Sequence, residues 1–114
     1  MDLHLDCVFY YVWDLDRSIG FYSELLGIPL ISRDAVARFR IDGLPFELVP
    51  TNDESKLSGS GNARLCLAVR NIQEAISDLR GRGVSVGAVS SVENGMLAPF
   101  HDPDGNELVL WQPF

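Results

Sequence analysis

The two halves of this chain carry the same pattern, and this repetition limits the fold more than any other feature of the sequence. The segment CVFYYVWDLDRSIGFYSELLG (residues 7–27) aligns with RLCLAVRNIQEAISDLRGRGV (residues 64–84) at an offset of 57 residues, half of the 114-residue length. Val12 then matches Val69, and the apolar positions that follow also coincide. A repeat of this kind predicts two copies of one supersecondary unit.

Each copy opens with a short β-type run and then changes to a helical period of apolar residues. Asp14 and Asn71 stand where helix N-caps are expected, and Gly27 and Gly83 suit the left-handed residue that ends a helix. One helix is therefore predicted in each copy, with a single buried stripe. The predicted stripes are Leu15, Ile19, Tyr22 and Leu26 in the first helix and Ile72, Ala75, Ile76 and Leu79 in the second.

Three further strands are predicted after each helix, so each copy has the order βαβββ. The Asp42-Gly43 pair is a hairpin signal in the first copy, and Asn94-Gly95 and the run DPDGN (residues 102–106) are turn signals in the second. The predicted strands are residues 28–32, 36–41 and 45–49 in the first copy and residues 84–90, 96–100 and 107–112 in the second.

We therefore expect an α+β fold in one domain, residues 1–114, built from two βαβββ modules. Module 1 takes about residues 1–50, a polar Gly- and Ser-rich linker takes residues 51–62, and module 2 takes residues 63–114. The sequence does not say whether the modules pair within one chain or across a dimer.

Charge and cysteine content narrow the function. Nine Lys and Arg against 16 Asp and Glu give a formal net charge of −7, which disfavours nucleic acid as a partner. No apolar run approaches the roughly 18 residues of a membrane span, and the first residues do not resemble a secretion signal, so a cytoplasmic protein is expected. In that compartment Cys7 and Cys66 are expected to be reduced thiols.

Because side chains alternate along a strand, the predicted strands have two distinguishable faces. Leu65, Leu67 and Val69 form an apolar row that belongs under a helix. The opposite face mixes apolar and aromatic groups with one acid and one base, which is typical of a small-molecule pocket but also fits a second core layer or a dimer interface. This second face collects Cys7, Phe9, Tyr11, Glu47, Val49, Arg64, Cys66, Ala68, Val109 and Trp111.

Four stretches together resemble the vicinal oxygen chelate superfamily, which includes glyoxalase I, extradiol dioxygenases and bleomycin-resistance proteins. They are VWDLDRSIGFYSELLGIPL, FELV, LAVRNIQEAISDLRGRGV and FHDPDGNELVL, and they cover nearly the whole chain. The resemblance implies curled mixed sheets around a cavity, helices on the outer faces, and a homodimer.

The same resemblance implies four positions at which metal-dependent members place His, Gln or Glu ligands. Here these positions are Cys7, Glu47, Arg64 and Val109, of which Glu47 alone is an ordinary metal ligand. A catalytic divalent ion generally needs three protein ligands, so neither a metal nor another cofactor is expected. We hypothesise instead that Glu47 and Arg64 form a charge pair, or that both reach solvent at a pocket rim. His101 has no acidic partner at a meaningful spacing and is interpreted as structural or exposed.

For a member without the ligand set, the resemblance implies a metal-free protein, in the manner of the drug-binding branch. We expect it to sequester an antibiotic or another aromatic or cationic ligand in a dimer cleft, with Tyr11 and Trp111 stacking on the ligand and Glu47 as a polar contact. One alternative is an enzyme: a metal-dependent dioxygenase-like or glyoxalase-like protein, or a lyase or isomerase with Glu47 as its base. Another is an interaction domain whose second face is buried by dimerisation.

Overall fold

A computed structural model describes residues 1–57, 59 and 61–114. The chain forms two compact units, Met1–Leu57 and Ser58–Phe114, called unit 1 and unit 2. Each unit contains one four-stranded mixed sheet and one main helix.

Unit 1 follows the predicted order βαβββ. Its sheet order is β1-β4-β3-β2, with β1 parallel to β4 and the other neighbours antiparallel. Asp42 and Gly43 form the turn between the third and fourth strands with positive φ angles of 49° and 83°, as the hairpin signal predicts. The elements are β1 (Val8–Val12), α1 (Leu15–Ile19) with a wider π-helical continuation (Gly20–Leu25), β2 (Leu30–Arg33), β3 (Ala37–Ile41), β4 (Leu44–Pro50) and a short 3₁₀ turn (Glu54–Lys56).

Unit 2 repeats this topology. Its sheet order is β5-β8-β7-β6, again with the first strand of the unit parallel to the last. The α+β fold of two βαβββ modules is therefore confirmed. The elements are β5 (Leu65–Ala68), α2 (Ile72–Gly81), β6 (Ser90–Val92), β7 (Gly95–His101) and β8 (Glu107–Pro113).

Both helices begin at the predicted caps. The Asp14 carboxylate accepts a hydrogen bond from the Arg17 backbone N–H at 3.1 Å, and the Asn71 side chain accepts one from the Glu74 N–H at 3.0 Å. These bonds satisfy N–H groups that have no partner inside the first turn. Within the described part of the chain, no helix has the length and apolar character needed to cross a membrane.

The first helix differs from the regular α-helix that its period predicts, because it widens after Ile19. The Leu26 N–H bonds to the Phe21 carbonyl at 3.1 Å, five residues back. Consecutive α-helical residues point about 100° apart, whereas a wider turn brings their directions closer. Phe21 and Tyr22 are both buried as a result, while Ile19 and Leu26 of the predicted stripe are half-buried.

The strand predicted over residues 84–90 is wrong in extent, since β6 covers only Ser90–Val92. Before it, Val86 makes one isolated bridge to Phe100, and the Gly87 N–H bonds to the Pro99 carbonyl at 2.8 Å. Pro99 has no N–H to donate in return, so a continuous ladder cannot form at this point. The alternating pattern could not reveal this, because the interrupting residue lies on the partner strand.

The core of unit 1 is an aromatic cluster between its helix and its sheet. Tyr22 comes from the π-helical segment, and its ring centroid lies 5.2 Å from that of Phe46 and 6.1 Å from that of Phe39. Tyr10 meets Phe46 edge-on at 5.6 Å. All four side chains are buried, so the sheet face toward the helix is the core face.

Candidate functional site

The opposite face of each sheet, called the open face, carries the nine residues that the sequence predicts to bind a ligand. Along β1, Tyr10 and Val12 are buried whereas Tyr11 is half-buried and Phe9 is exposed. The same alternation holds at the other strands, with every predicted site residue half-buried or exposed. Unit 1 holds Cys7, Phe9, Tyr11, Glu47 and Val49, and unit 2 holds Arg64, Cys66, Val109 and Trp111.

Strand register places the unit 1 residues in rows across the sheet. Phe9 pairs with Glu47, and Glu47 pairs with Arg38 on the next strand. Sequence reasoning missed Arg38, although the alternation of buried Ala37 and Phe39 in VARFRI is the signal that places it on the open face. The negative charge of Glu47 adds to the effect of Asp34 hydrogen bonding in raising the pKa of Arg38. Glu47, the acidic residue of the unit 1 open face, therefore lies beside the Arg38 guanidinium of the same unit.

The aromatic part of the unit 1 open face is an edge-to-face pair with a cation on it. Phe9 and Tyr11 have ring centroids 5.2 Å apart and an interplanar angle of 85°. The Lys56 ammonium nitrogen lies 5.1 Å from the Tyr11 centroid, within the range of a cation–π contact. No pattern in the sequence identifies Lys56, because it comes from the short turn in the region predicted to be a linker. A ligand that stacks on the same side of the Tyr11 ring must displace the Lys56 ammonium group.

Cys7 lies in an acidic corner of the same unit. The ligand atoms of Asp6, Cys7 and Glu47 all lie within 4.8 Å of one another. Partial burial raises the pKa of the Cys7 thiol, and the charges of Glu47 and Asp6 and their hydrogen bonds raise it further. The thiol is therefore neutral and a weak nucleophile at neutral pH.

We expect alkylation of Cys7 by iodoacetamide to show an apparent pKa above that of an ordinary thiol. A Cys66→Ser background leaves Cys7 as the one reporting thiol, and mass spectrometry across a pH series gives the rate. Adding Glu47→Gln removes a negative charge that opposes the thiolate, so the apparent pKa should fall and the rate at fixed pH should rise. An unchanged pKa in that variant would show that Glu47 does not act on the thiol.

The open face of unit 2 has one charged row and two apolar rows. Pro99 pairs with Val109, and Leu97 pairs with Trp111. On the other side of β8, Cys66 pairs with Val109 and Ala68 with Trp111. The three rows, in order along β8, are Arg64–Glu107–His101, Cys66–Val109–Pro99 and Ala68–Trp111–Leu97.

The charged row brings together two residues that sequence reasoning kept apart. Nε2 of His101 lies 3.4 Å from a carboxylate oxygen of Glu107, because the two residues are register partners at the end of the β7–β8 hairpin. The interpretation of His101 as lacking an acidic partner is therefore wrong, since linear spacing does not show cross-strand neighbours. The other Glu107 oxygen forms an ion pair with Nε of Arg64. The hypothesised Glu47–Arg64 pair joins residues of different units and stays a prediction.

The four ligand-equivalent positions do not fit a catalytic divalent ion held by four side chains. Cys7 and Glu47 in unit 1 can donate to a metal, and Asp6 adds a third oxygen beside them. In unit 2, Val109 has no donor atom, and the Arg64 guanidinium is a permanent cation that donates to the Gly61 and Ala63 carbonyls and pairs with Glu107. Two of the four ligand-equivalent side chains, Arg64 and Val109, therefore cannot bind the ion.

One family model matches this chain over nearly its whole length. It is described as the Glyoxalase/Bleomycin resistance protein/Dioxygenase superfamily, and it matches residues 4–110. No curated protein sequence matches the chain at a significant level.

Solved structures share the fold over the full chain. TnmS3, an antibiotic binding protein from Streptomyces sp. CB03234, is 26% identical with a TM-score of 0.79, over 99% of this chain and 98% of that one. The fosfomycin resistance protein FosX from Listeria monocytogenes is 18% identical with a TM-score of 0.81, over 100% and 96% of the two chains. Lactoylglutathione lyase from Agrobacterium tumefaciens is 14% identical with a TM-score of 0.77, over 98% and 95%. At their low identities, the latter two are evidence of the fold alone.

Proposed function

This chain belongs to the Glyoxalase/Bleomycin resistance protein/Dioxygenase superfamily, and from that premise we propose that it is a metal-free protein that binds and sequesters an antibiotic or another aromatic small molecule. The proposal includes a homodimer with the ligand held in its cleft, because closed two-fold dimers are the commonest assemblies of small folded chains. The bound ligand is released without chemical change.

The observation that carries this proposal is the chemistry of unit 2 at the ligand-equivalent positions. Arg64 is fixed by Glu107 and two backbone carbonyls, and Val109 lies in an apolar row with Cys66 and Pro99. At these two positions the face offers contact area and hydrogen-bond donors, which suit binding, and neither Arg64 nor Val109 can coordinate a Lewis-acidic metal ion.

Aromatic side chains on both open faces support an aromatic ligand. Phe9 and Tyr11 form an edge-to-face pair in unit 1, and the indole of Trp111 is half-buried next to Ala68 and Leu97 in unit 2. Flat heteroaromatic molecules gain both apolar burial and stacking on such groups. The likeness to an antibiotic binding protein at 26% identity over both full chains supports the same choice of ligand.

The proposal is tested by tryptophan fluorescence with a panel of aromatic antibiotics and by metal analysis of the purified protein. In a Trp13→Phe background, Trp111 is the only remaining indole, so a saturable change reports its own surroundings. We expect at least one antibiotic to quench or shift this emission, and we expect no transition metal at stoichiometric level. A panel without any response, or one metal ion per chain, would contradict the proposal.

A second candidate function is a metal-dependent enzyme, and the Asp6, Cys7 and Glu47 cluster of unit 1 favours it. These three residues would hold the ion, which would supply a polarised carbonyl or an activated water. Metal analysis of the Glu47→Gln and Cys7→Ser variants separates the two functions. Metal bound by the parent chain and lost from both variants would establish a unit 1 centre.

A further inference from the structure

We propose that the charged row Arg64–Glu107–His101 of unit 2 recognises an anionic oxygen group, such as a carboxylate, at one end of an aromatic ligand. This inference rests on the proposed binding function and adds the chemical class of the ligand. The apolar rows Cys66–Val109–Pro99 and Ala68–Trp111–Leu97 follow the charged row along the same strands. The face is therefore polar at one end and apolar over the rest, which matches a flat apolar body with one charged end.

Arg64 is held in place before any ligand arrives. Its Nε pairs with Glu107, and its Nη1 donates to the backbone carbonyls of Gly61 and Ala63. Within the described residues Nη2 makes no hydrogen bond or ion pair, and the side chain is 36% exposed. A guanidinium has five N–H donors in a rigid fork, so a fixed Arg64 retains donors for an incoming anion at little further loss of side-chain freedom.

Glu107 holds Arg64 and His101 together at one end of the face. Its two carboxylate oxygens face Arg64 on one side and His101 on the other, and its side chain is 26% exposed. His101 is 54% exposed and has a second ring nitrogen that does not face Glu107. Two nitrogen-bearing side chains thus flank one carboxylate, and both can offer N–H donors to an incoming anion.

Ten of the 16 acidic residues lie in unit 1, and in unit 2 the acids outside the row are on α2, in the turn after β6, and in the turn between β7 and β8, which holds the half-buried Asp104. Glu74 and Asp78 are on α2, which packs against the core face, and Glu93 is in the turn after β6. Asp102 is the acid nearest the row in sequence, but it is buried and accepts three hydrogen bonds within its own turn. The overall charge predicts a cationic ligand, whereas the N–H donors of this row suit an anion.

The test compares 2-naphthoate with 2-naphthamide, which share the ring system and differ in charge. Both are titrated against the full chain in the Trp13→Phe background, with Trp111 emission as the readout. We expect naphthoate to bind at least about tenfold more tightly than naphthamide, as charge-assisted hydrogen bonds imply. Arg64→Gln should abolish most of that preference while changing the naphthamide affinity less than about twofold, and His101→Gln should reduce the preference by a smaller factor.

Arg82→Gln is the matched control, since Arg82 is an arginine of the same unit that pairs with Asp78 at the end of α2. Arg82→Gln also removes one positive charge, but at a position away from the row. It should leave the preference for naphthoate over naphthamide unchanged. Equal loss in both arginine variants, or naphthamide binding as tightly as naphthoate, would overturn the inference and leave the proposed binding function standing. Failure of both probes, together with the whole antibiotic panel, would overturn the binding function itself.

Discussion

Replacing Phe46 with alanine is expected to lower the free energy of unfolding by about 3–5 kcal/mol, the usual range for removing a buried aromatic ring. Phe46 has 0% exposure, and its ring contacts those of Tyr10, Tyr22 and Phe39. These partners come from a neighbouring strand on each side and from the helical segment above the sheet. A cavity at this point therefore removes contacts with both neighbouring strands and with the helical segment. The surrounding rings are closely packed and can relax only partly to fill it.

Phe9→Ala is the matched control, because it deletes the same side chain from the adjacent strand at a position that is 45% exposed. Urea unfolding followed by circular dichroism should give a loss for Phe9→Ala below about 1 kcal/mol. Comparing the two variants thus measures how much more a phenylalanine stabilises the protein on the core face than on the open face of the same sheet. Equal losses in the two variants would contradict the assignment of Phe9 to the open face.

The second large effect is expected at Asp102, the buried first residue of the turn between β7 and β8. One oxygen of its carboxylate accepts hydrogen bonds from the backbone N–H groups of Asp104 and Asn106, and the other accepts one from the Asn106 amide, all at 2.9 Å. Asn106 is itself buried, so Asp102→Ala leaves donors without a partner away from water. We expect the free energy of unfolding to fall by about 2–4 kcal/mol.

Asp53→Ala provides the control for this change. Asp53 also accepts hydrogen bonds from a turn, at Ser55, but it is exposed, so water replaces the lost partner. Its effect should be much smaller than that of Asp102→Ala in the same urea experiment. Because Asp102 follows His101 and the turn ends next to Glu107, the Asp102 variant should also weaken the naphthoate preference. A fully stable Asp102→Ala protein would show that the turn does not depend on this carboxylate.

Much of the fold follows from local pattern. The internal repeat predicts two modules of equal topology, and the alternation of apolar residues predicts which side chains are buried, for example Leu108 and Leu110 against Val109. These features succeed because period and burial are properties of a single segment. The widened helix and the shortened β6 could not be predicted, since they depend on the packing of Phe21 with Tyr22 and on the missing N–H of Pro99 across the sheet.

The candidate site was predictable to a different degree. Alternation alone assigns the nine proposed binding residues to one face of the sheets. Seven of them lie within strands and are half-buried or exposed, Cys7 and Arg64 directly precede β1 and β5, and the part of all nine in binding stays a prediction. The neighbours that set their chemistry were not predictable, because they come from distant segments. Arg38 lies beside Glu47 through strand register, Lys56 lies over Tyr11 from a short turn, and His101 meets Glu107 across a hairpin. Their effect on ligand choice stays a prediction until binding is measured.

Gly95 gives Trp111 its position within unit 2. A Cβ atom on Gly95 would meet the Gln112 carbonyl oxygen and would lie 2.7 Å from Cη2 of the indole, so the β8 backbone and the ring both lie where only a hydrogen atom fits. Alanine at residue 95 would therefore displace the β8 backbone as well as the indole. The missing side chain at residue 95 thus sets how closely the indole lies against the sheet, and a ligand that stacks on Trp111 would meet the ring at that depth.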